Sequence, residues 1–105
     1  MFDLVIKGGK VCDGTGSPWF YADVGVKGDR IACIGQIDPS DYAAGQVIDA
    51  AGKAVAPGFV DVHTHSDYSI VLYPRADSMV RQGVTTVING NCGSSAGPVK
   101  SVSQH

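Results

Sequence analysis

The residues best suited to chemistry lie in a His-x-His motif, His63-Thr64-His65, which closes a short apolar run. Side chains of a β-strand alternate between its two faces, so an extended run places Phe59, Asp61, His63 and His65 on one side. Two imidazoles side by side at the end of a strand are able to share one metal ion. The motif therefore predicts a metal site, and two partly exposed histidines at a strand end are the alternative.

A third candidate ligand, Cys92, follows the next predicted strand, residues 84–88. A helix pattern that begins near Pro74 and ends at Gly83 separates the two strands, which is the order of a βαβ unit. Parallel strands of such a unit have their carboxyl ends together, so Cys92 is expected near the histidines. Imidazole and thiolate are preferred zinc ligands, and a catalytic zinc keeps one position open for an activated water. An inert thiol is the alternative for Cys92.

Two aspartates near the motif are candidates for orienting the metal ligands. Asp61 is on the histidine face of the predicted strand, and Asp67 follows in a predicted polar loop, residues 66–69. Carboxylates commonly accept a hydrogen bond from the second ring nitrogen of a metal-bound histidine. A buried, hydrogen-bonded carboxylate at Asp61 and a solvated one at Asp67 are the alternatives.

Residues 1–56 contain five or six short apolar runs separated by turn residues, with no helix pattern. Gly8-Gly9 predicts the turn of one hairpin, and Gly28-Asp29 predicts the turn of a second hairpin over residues 22–35. Residues 37–45 have the composition of a loop. A small antiparallel sheet or sandwich is therefore predicted for this part.

Other conspicuous side chains in this part have ordinary interpretations. Cys12 and Cys33 fall in predicted strands, where a free cysteine is usually a small buried hydrophobe. Trp19, Phe20 and Tyr21 follow a loop and are expected to cover a small core, with a ligand platform as the alternative. Three widely spaced cysteines without a CxxC pair argue against a disulfide framework.

Composition excludes several classes of function. The chain has 105 residues and a net charge of −2, so it offers no basic face for nucleic acid. It has no apolar run near the ~18 residues that cross a bilayer, so no membrane association is expected. Its start lacks the basic region and long apolar segment of a signal peptide, which predicts a cytoplasmic protein.

Several stretches, taken in order, resemble the amino terminus of the amidohydrolase superfamily. They are VIKGG at residues 5–9, DGT at 13–15, DVGVKGDRI at 23–31 and PGFVDVHTH at 57–65. The run QGVTTV at 82–87, which continues into Gly90-Asn91-Cys92-Gly93, resembles the D-aminoacylase (N-acyl-D-amino-acid deacylase) branch more specifically. The resemblance covers residues 3 to about 98.

The resemblance implies roles for matched positions only. It makes His63 and His65 ligands from the first barrel strand and Cys92 the thiolate ligand of a zinc centre with one or two ions. The complete enzyme would hydrolyse the amide bond of N-acyl-D-amino acids through a metal-activated water. In the family, further histidines, a catalytic aspartate and a substrate-binding arginine come from later strands. We therefore expect the 105-residue chain alone to be inactive.

The expected fold class is mixed β and α/β. Residues 1–56 form a small antiparallel β-sandwich part, residues 57–96 form the first βαβ unit of an incomplete TIM-like barrel, and residues 97–105 form a disordered tail. Two parallel strands leave open edges, so self-association or a loosely ordered carboxyl half is expected. A stand-alone β-rich protein that binds metal or a partner without catalysis is the alternative function.

Overall fold

A computed structural model describes residues 1–97, without the side chains of residues 43–45. Of the tail predicted over residues 97–105, all but Gly97 lies outside the described residues. The chain divides into two compact units, with the boundary between Pro57 and Gly58. The first unit contains β1 (Phe2–Val11), β2 (Phe20–Lys27), β3 (Arg30–Gly35), a 3-10 turn (Pro39–Asp41), β4 (Tyr42–Asp49) and β5 (Ala54–Val55). The second unit contains β6 (Phe59–Thr64), α1 (Ser66–Ser69), α2 (Asp77–Val80) and β7 (Val84–Asn89).

The first unit is a single five-stranded sheet in the order β3-β2-β1-β4, with β5 also paired to β1. β1 and β3 run antiparallel to β2, whereas β4 and β5 run parallel to β1. The predicted antiparallel sheet or sandwich is therefore wrong, because the described residues of this unit form one sheet with both parallel and antiparallel pairs. Residues 36–41 return the chain to the start of β1, where Tyr42 pairs with Phe2, and β4 then runs in the same direction as β1.

The returning segment is anchored on the sheet. Ile37 is buried, and its backbone N–H donates to the Asp23 carboxylate over 3.2 Å. Gly25 leaves room for this arrangement, because a Cβ there would lie 2.7 Å from the Phe2 ring and 2.9 Å from Cδ1 of Ile37. The prediction of a plain loop over residues 37–45 is also wrong, since this stretch contains the 3-10 turn and the start of β4.

The predicted hairpin turn at Gly8-Gly9 is wrong, because β1 runs straight through both residues. The pairing register with β2 shifts between Ile6 and Gly9, which marks a bulge, and Gly8 has φ +68°. A glycine pair tolerates a bulge as readily as a turn. The second predicted hairpin is confirmed, with β2 and β3 joined at Gly28, φ +57°.

The core of the first unit is small and aliphatic. Its buried apolar residues are Val5, Val11, Val24, Ile37 and Ala50. Cys12 is exposed just beyond β1, and Cys33 is half-buried. The prediction that both cysteines are buried is therefore wrong. The aromatic cluster does not cover this core either, since Trp19 and Tyr21 are 51% and 67% exposed. Their ring centroids lie 5.3 Å apart in an edge-on contact at the start of β2, where Tyr21 pairs with Lys10 of β1.

The second unit contains the predicted parallel pair, β6 and β7, with Phe59 opposite Val84 and Thr64 opposite Asn89. Gly58 lies where any side chain would overlap Thr85. The predicted loop at 66–69 is wrong: it forms α1, closed by the Ile70 N–H donating to the Ser66 carbonyl over 2.7 Å. The helix predicted from Pro74 to Gly83 is present only as the single turn α2. The parallel pair of β6 and β7 does not by itself constitute a barrel.

Within residues 1–97, every helix is too short to cross a membrane.

Candidate metal centre

The three predicted metal ligands come together at the carboxyl ends of β6 and β7. His63 lies in β6, His65 precedes the first turn of α1, and Cys92 lies in the loop after β7. One ligand atom from each residue lies within 4.8 Å of the other two. All three side chains are exposed, so an ion could reach them directly from solvent.

The distances agree with binding of one zinc ion. Sγ of Cys92 lies 3.5 Å from Nε2 of His65 and 3.8 Å from Nδ1, and the two imidazole centroids are 5.8 Å apart. Zinc binds nitrogen at about 2.0 Å and sulfur at about 2.3 Å, so ligand atoms of a tetrahedral site lie about 3.5 Å apart. The Cys92–His65 pair already has this spacing. The widest separation needs to close by about 1 Å, which rotation of exposed side chains allows.

The backbone around Cys92 needs glycine at two positions. Gly90 has φ +80° and Gly93 has φ +85°, and the Gly93 N–H donates to the Gly90 carbonyl over 2.9 Å. These residues turn the chain tightly around Cys92. The Asn91 side-chain amide donates to the carbonyl of Val62, which ties the turn to β6.

The two predicted orienting aspartates contact backbone and loop groups rather than rings. Oδ1 of Asp61 accepts from the backbone N–H of His63 over 3.1 Å. Oδ2 of Asp67 accepts from the Ala96 N–H over 2.8 Å and from the Ser95 hydroxyl over 2.9 Å. These hydrogen bonds, that of Ala96 first, hold the pKa of Asp67 below its usual value, against a smaller opposing effect of burial. The predicted orienting role of both residues stays a prediction.

Sequence reasoning missed the polar groups that hold the loop. Besides Asn91, the Ser66 hydroxyl donates to Oδ1 of Asn89 over 3.1 Å, and the hydroxyls of Tyr68 and Ser94 lie 3.2 Å apart. The asparagines on either side of Gly90 were the available signal, since asparagine often bonds nearby backbone in turns. Their partners depend on the path of the loop, which the sequence does not specify.

Comparison with known proteins decides the family. A model of the Amidohydrolase family matches residues 46–103, which include all three candidate ligands. The chain belongs to the amidohydrolase family. The resemblance found in the sequence motifs is thereby confirmed, and members of this family with high identity to the chain include hydrolases of amide bonds.

Two curated relatives of this amidohydrolase chain come from Alcaligenes xylosoxydans xylosoxydans. A D-aminoacylase is 49% identical over 98 residues, covering 93% of this chain and 20% of the relative. An N-acyl-D-glutamate deacylase is 50% identical over 96 residues, covering 91% of this chain and 19% of the relative. The chain thus spans about a fifth of the length of these relatives.

Solved structures agree with these matches. A D-aminoacylase described with a binuclear metal centre superposes with a TM-score of 0.87 at 46% identity, over 96% of this chain and 21% of that one. An N-acyl-D-glutamate deacylase from Bordetella bronchiseptica, in complex with zinc and a phosphonate inhibitor, gives 0.84 at 48% identity, over 93% and 20%. The fold of this amidohydrolase chain therefore matches one portion of larger enzymes.

Proposed function

We propose that His63, His65 and Cys92 contribute to the zinc centre of an amidohydrolase that hydrolyses N-acyl-D-amino acids. The observation that carries this proposal is the convergence of two imidazoles and one thiol, whose ligand atoms lie within 4.8 Å of one another. The donor set suits zinc, since imidazole nitrogen and thiolate sulfur are its usual protein ligands. Two relatives named for N-acyl-D-amino-acid or D-amino-acid deacylation support the substrate class.

The residues of the chain have distinct tasks in this proposal. His63 and His65 provide neutral imidazole nitrogens, and Cys92 provides a thiolate, so binding releases the thiol proton. Asp61 fixes the backbone of His63, and thereby the direction from which its ring leaves β6. Zinc, when bound, activates water for attack and polarises the amide carbonyl.

Amide hydrolysis needs further groups, a base for the water and a cation for the substrate carboxylate. We assign these groups, with the further histidines that the resemblance implies, to later barrel strands of a longer protein. In this proposal residues 57–96 are the first βαβ unit of a TIM-like barrel, and residues 1–56 are part of its small β domain. The 105-residue chain by itself is then expected to bind zinc without turning over N-acyl-D-amino acids.

Zinc content of the purified chain tests the ligand assignment. After dialysis against zinc, the wild-type chain is expected to retain the ion, and the Cys92→Ser and His63→Ala variants to lose it. The chain offers matched controls in its other cysteine and histidine residues, so Cys12→Ser and His105→Ala are expected to retain the ion. Unchanged zinc content in Cys92→Ser and His63→Ala would overturn the site.

The substrate assignment has its own test. The coding sequence beyond His105 should continue with further histidines and an aspartate, and the protein encoded by the longer frame should hydrolyse N-acetyl-D-amino acids in preference to their L-enantiomers. A stop codon directly after His105, with zinc still bound, would instead favour a stand-alone metal-binding protein. Hydrolysis of the L-enantiomers alone would contradict the substrate class.

A further inference from the structure

Four side chains link β6 and α1, the elements on either side of His65, to the end of β7 and to the loop that carries Cys92. Three of these ties are hydrogen bonds between neutral groups: from Asn91 to Val62, from Ser66 to Asn89, and between Tyr68 and Ser94. The fourth is Asp67, which receives two hydrogen bonds from the far end of the same loop, at Ser95 and Ala96.

Asp67 differs from the other ties in strength and in position. Its bonds of 2.8 and 2.9 Å go to a carboxylate, and hydrogen bonds to an ionised acceptor are roughly twice as strong as neutral ones. Both end on one oxygen, Oδ2, and the other oxygen, Oδ1, is buried. The carboxylate is therefore committed to the loop rather than to solvent.

The loop needs such an anchor on its far side. The turn around Cys92 is bounded by Gly90 and Gly93, both at positive φ, and glycine retains more conformational freedom than any other residue. Asn91 fixes the turn on its near side, at Val62. Beyond Gly93, the Asp67 carboxylate holds the chain at Ser95 and Ala96. Asp67 itself lies only two residues after His65 in the sequence.

We infer that Asp67 is a positioning residue for the metal centre: it anchors the loop at Ser95 and Ala96, so that the Cys92 thiol stays beside His65. This inference rests on the proposed zinc function. Asp67 does not touch the ion in this arrangement. Because Asp67 already restrains the loop in the metal-free chain, the loop loses less conformational entropy when the thiolate binds the ion. The affinity for metal is therefore higher.

Cobalt binding separates positioning from ligation. Cobalt reports thiolate coordination through a charge-transfer band, in addition to its ligand-field bands. Asp67→Ala is expected to lower cobalt and zinc affinity by about 10- to 100-fold, the usual effect of losing a residue that supports a ligand. Its charge-transfer band should weaken relative to the ligand-field bands, because His63 and His65 still bind.

Two variants keep the test sensitive to the anchor rather than to general destabilisation. Asp67→Asn retains an oxygen that accepts from Ser95 and Ala96, so it should restore most of the affinity lost in Asp67→Ala. Asp77→Asn alters an exposed aspartate paired with Arg75 outside the loop, and should leave both affinity and spectrum unchanged. Wild-type affinity and an unaltered charge-transfer band in Asp67→Ala would overturn the inference.

A measurement on the metal-free chain tests the anchor independently. The Ala96 amide should exchange with solvent at least several-fold faster in Asp67→Ala than in the wild type, while β2 amides exchange equally in both. Equal exchange of Ala96 would overturn the anchor even if zinc binds. The proposed zinc site would be overturned, and the anchor would not, if the wild-type chain bound no metal. The same would follow if the wild-type chain and Cys92→Ser bound metal with equal affinity.

Discussion

Sγ of Cys92 lies 3.5 Å from Nε2 of His65, although 27 residues separate them in the sequence. The contact arises because β6 and β7 are parallel neighbours, so the residues that follow their carboxyl ends meet. Three ligands of two types that zinc favours, imidazole and thiolate, thus converge within one unit of the chain.

Zinc is expected to stabilise the second unit selectively. At a free zinc concentration of about 100 times the dissociation constant, a ligand that binds only the folded state stabilises it by about 2.7 kcal/mol. Amides of β6 and β7 should therefore exchange more slowly with zinc and faster after chelation, while β2 amides stay constant. The response should disappear in Cys92→Ser; a response that persists there would contradict the ligand assignment.

Gly58→Ala is expected to disturb the pairing of β6 with β7. A Cβ at this position would overlap the side chain of Thr85, and overpacking of this kind costs about 1–3 kcal/mol. Denaturant unfolding followed by amide signals of β7 measures the loss. Gly97→Ala is the control, since its Cβ would meet nothing within 4 Å. Equal effects of the two substitutions would show that the contact with Thr85 does not matter.

Gly25→Ala is expected to destabilise the first unit by a similar amount, about 1–3 kcal/mol. Its Cβ would push against Phe2 and Ile37, which hold the returning segment on the sheet. Gly35→Ala, in the neighbouring strand β3, has open space and should change the free energy of unfolding by less than about 0.5 kcal/mol. A Gly25→Ala variant as stable as Gly35→Ala would exclude the proposed close packing.

The stability of the first unit should depend on pH through Asp38. Its carboxylate caps the 3-10 turn, and the hydrogen bond from the Ser40 backbone, with a second from the Ser40 hydroxyl, holds the pKa of Asp38 below its usual value. The stabilisation is therefore present above the unfolded pKa of about 3.9 and is lost as the pH falls through the folded pKa.

Unfolding curves of Asp38→Ala between about pH 6 and pH 2 measure this contribution. The variant should differ from the wild type most at the upper end of the range and converge with it at the lower end. Asp29→Ala removes an exposed aspartate that is paired with Arg30 and serves as the control. A difference that grows as the pH falls would have the wrong sign for a capping carboxylate.

Self-association through the second unit is expected, because β6 and β7 each pair with one strand only among the described residues. Val62 on β6 is 56% exposed, and the residues of β7 carry no charge to discourage edge pairing. Sedimentation should show association that increases with concentration and that Val62→Lys reduces. Val71→Lys, at an 80% exposed position outside the strands, should not reduce it. A monomer at every concentration would refute this expectation.

The three candidate ligands could be predicted from the sequence, because their meeting depends on the order of strand, crossover and strand along the chain. The His63-Thr64-His65 motif and Cys92 each follow an apolar β-branched run, and the intervening segment is long enough for a parallel crossover, which β6 and β7 form. The anchoring bonds at Ser95 and Asn91 were not accessible, since they depend on the path of the loop.

The sheet of the first unit was harder to predict than the parallel pair. Gly8-Gly9 has the composition of a turn, and only its pairing with β2 decides that the chain continues as a bulged strand. The direction of β4 depends likewise on residues 36–41 crossing back to Phe2, a long-range contact that composition does not encode. The apolar runs of this unit were therefore recognisable as strands, but the extent of β1 and β4 and the direction of β4 were not.

The short span between the candidate ligands has a consequence for folding. His63, His65 and Cys92 fall within residues 63–92, and closing a chain loop of that length costs about 3–4 kcal/mol. In small peptides with four-ligand structural zinc sites, metal binding supplies the free energy that folds the chain. An ion captured by these residues during synthesis would hold β6 and β7 together as soon as Cys92 leaves the ribosome. The metal would then act as a template for folding before it takes part in any reaction.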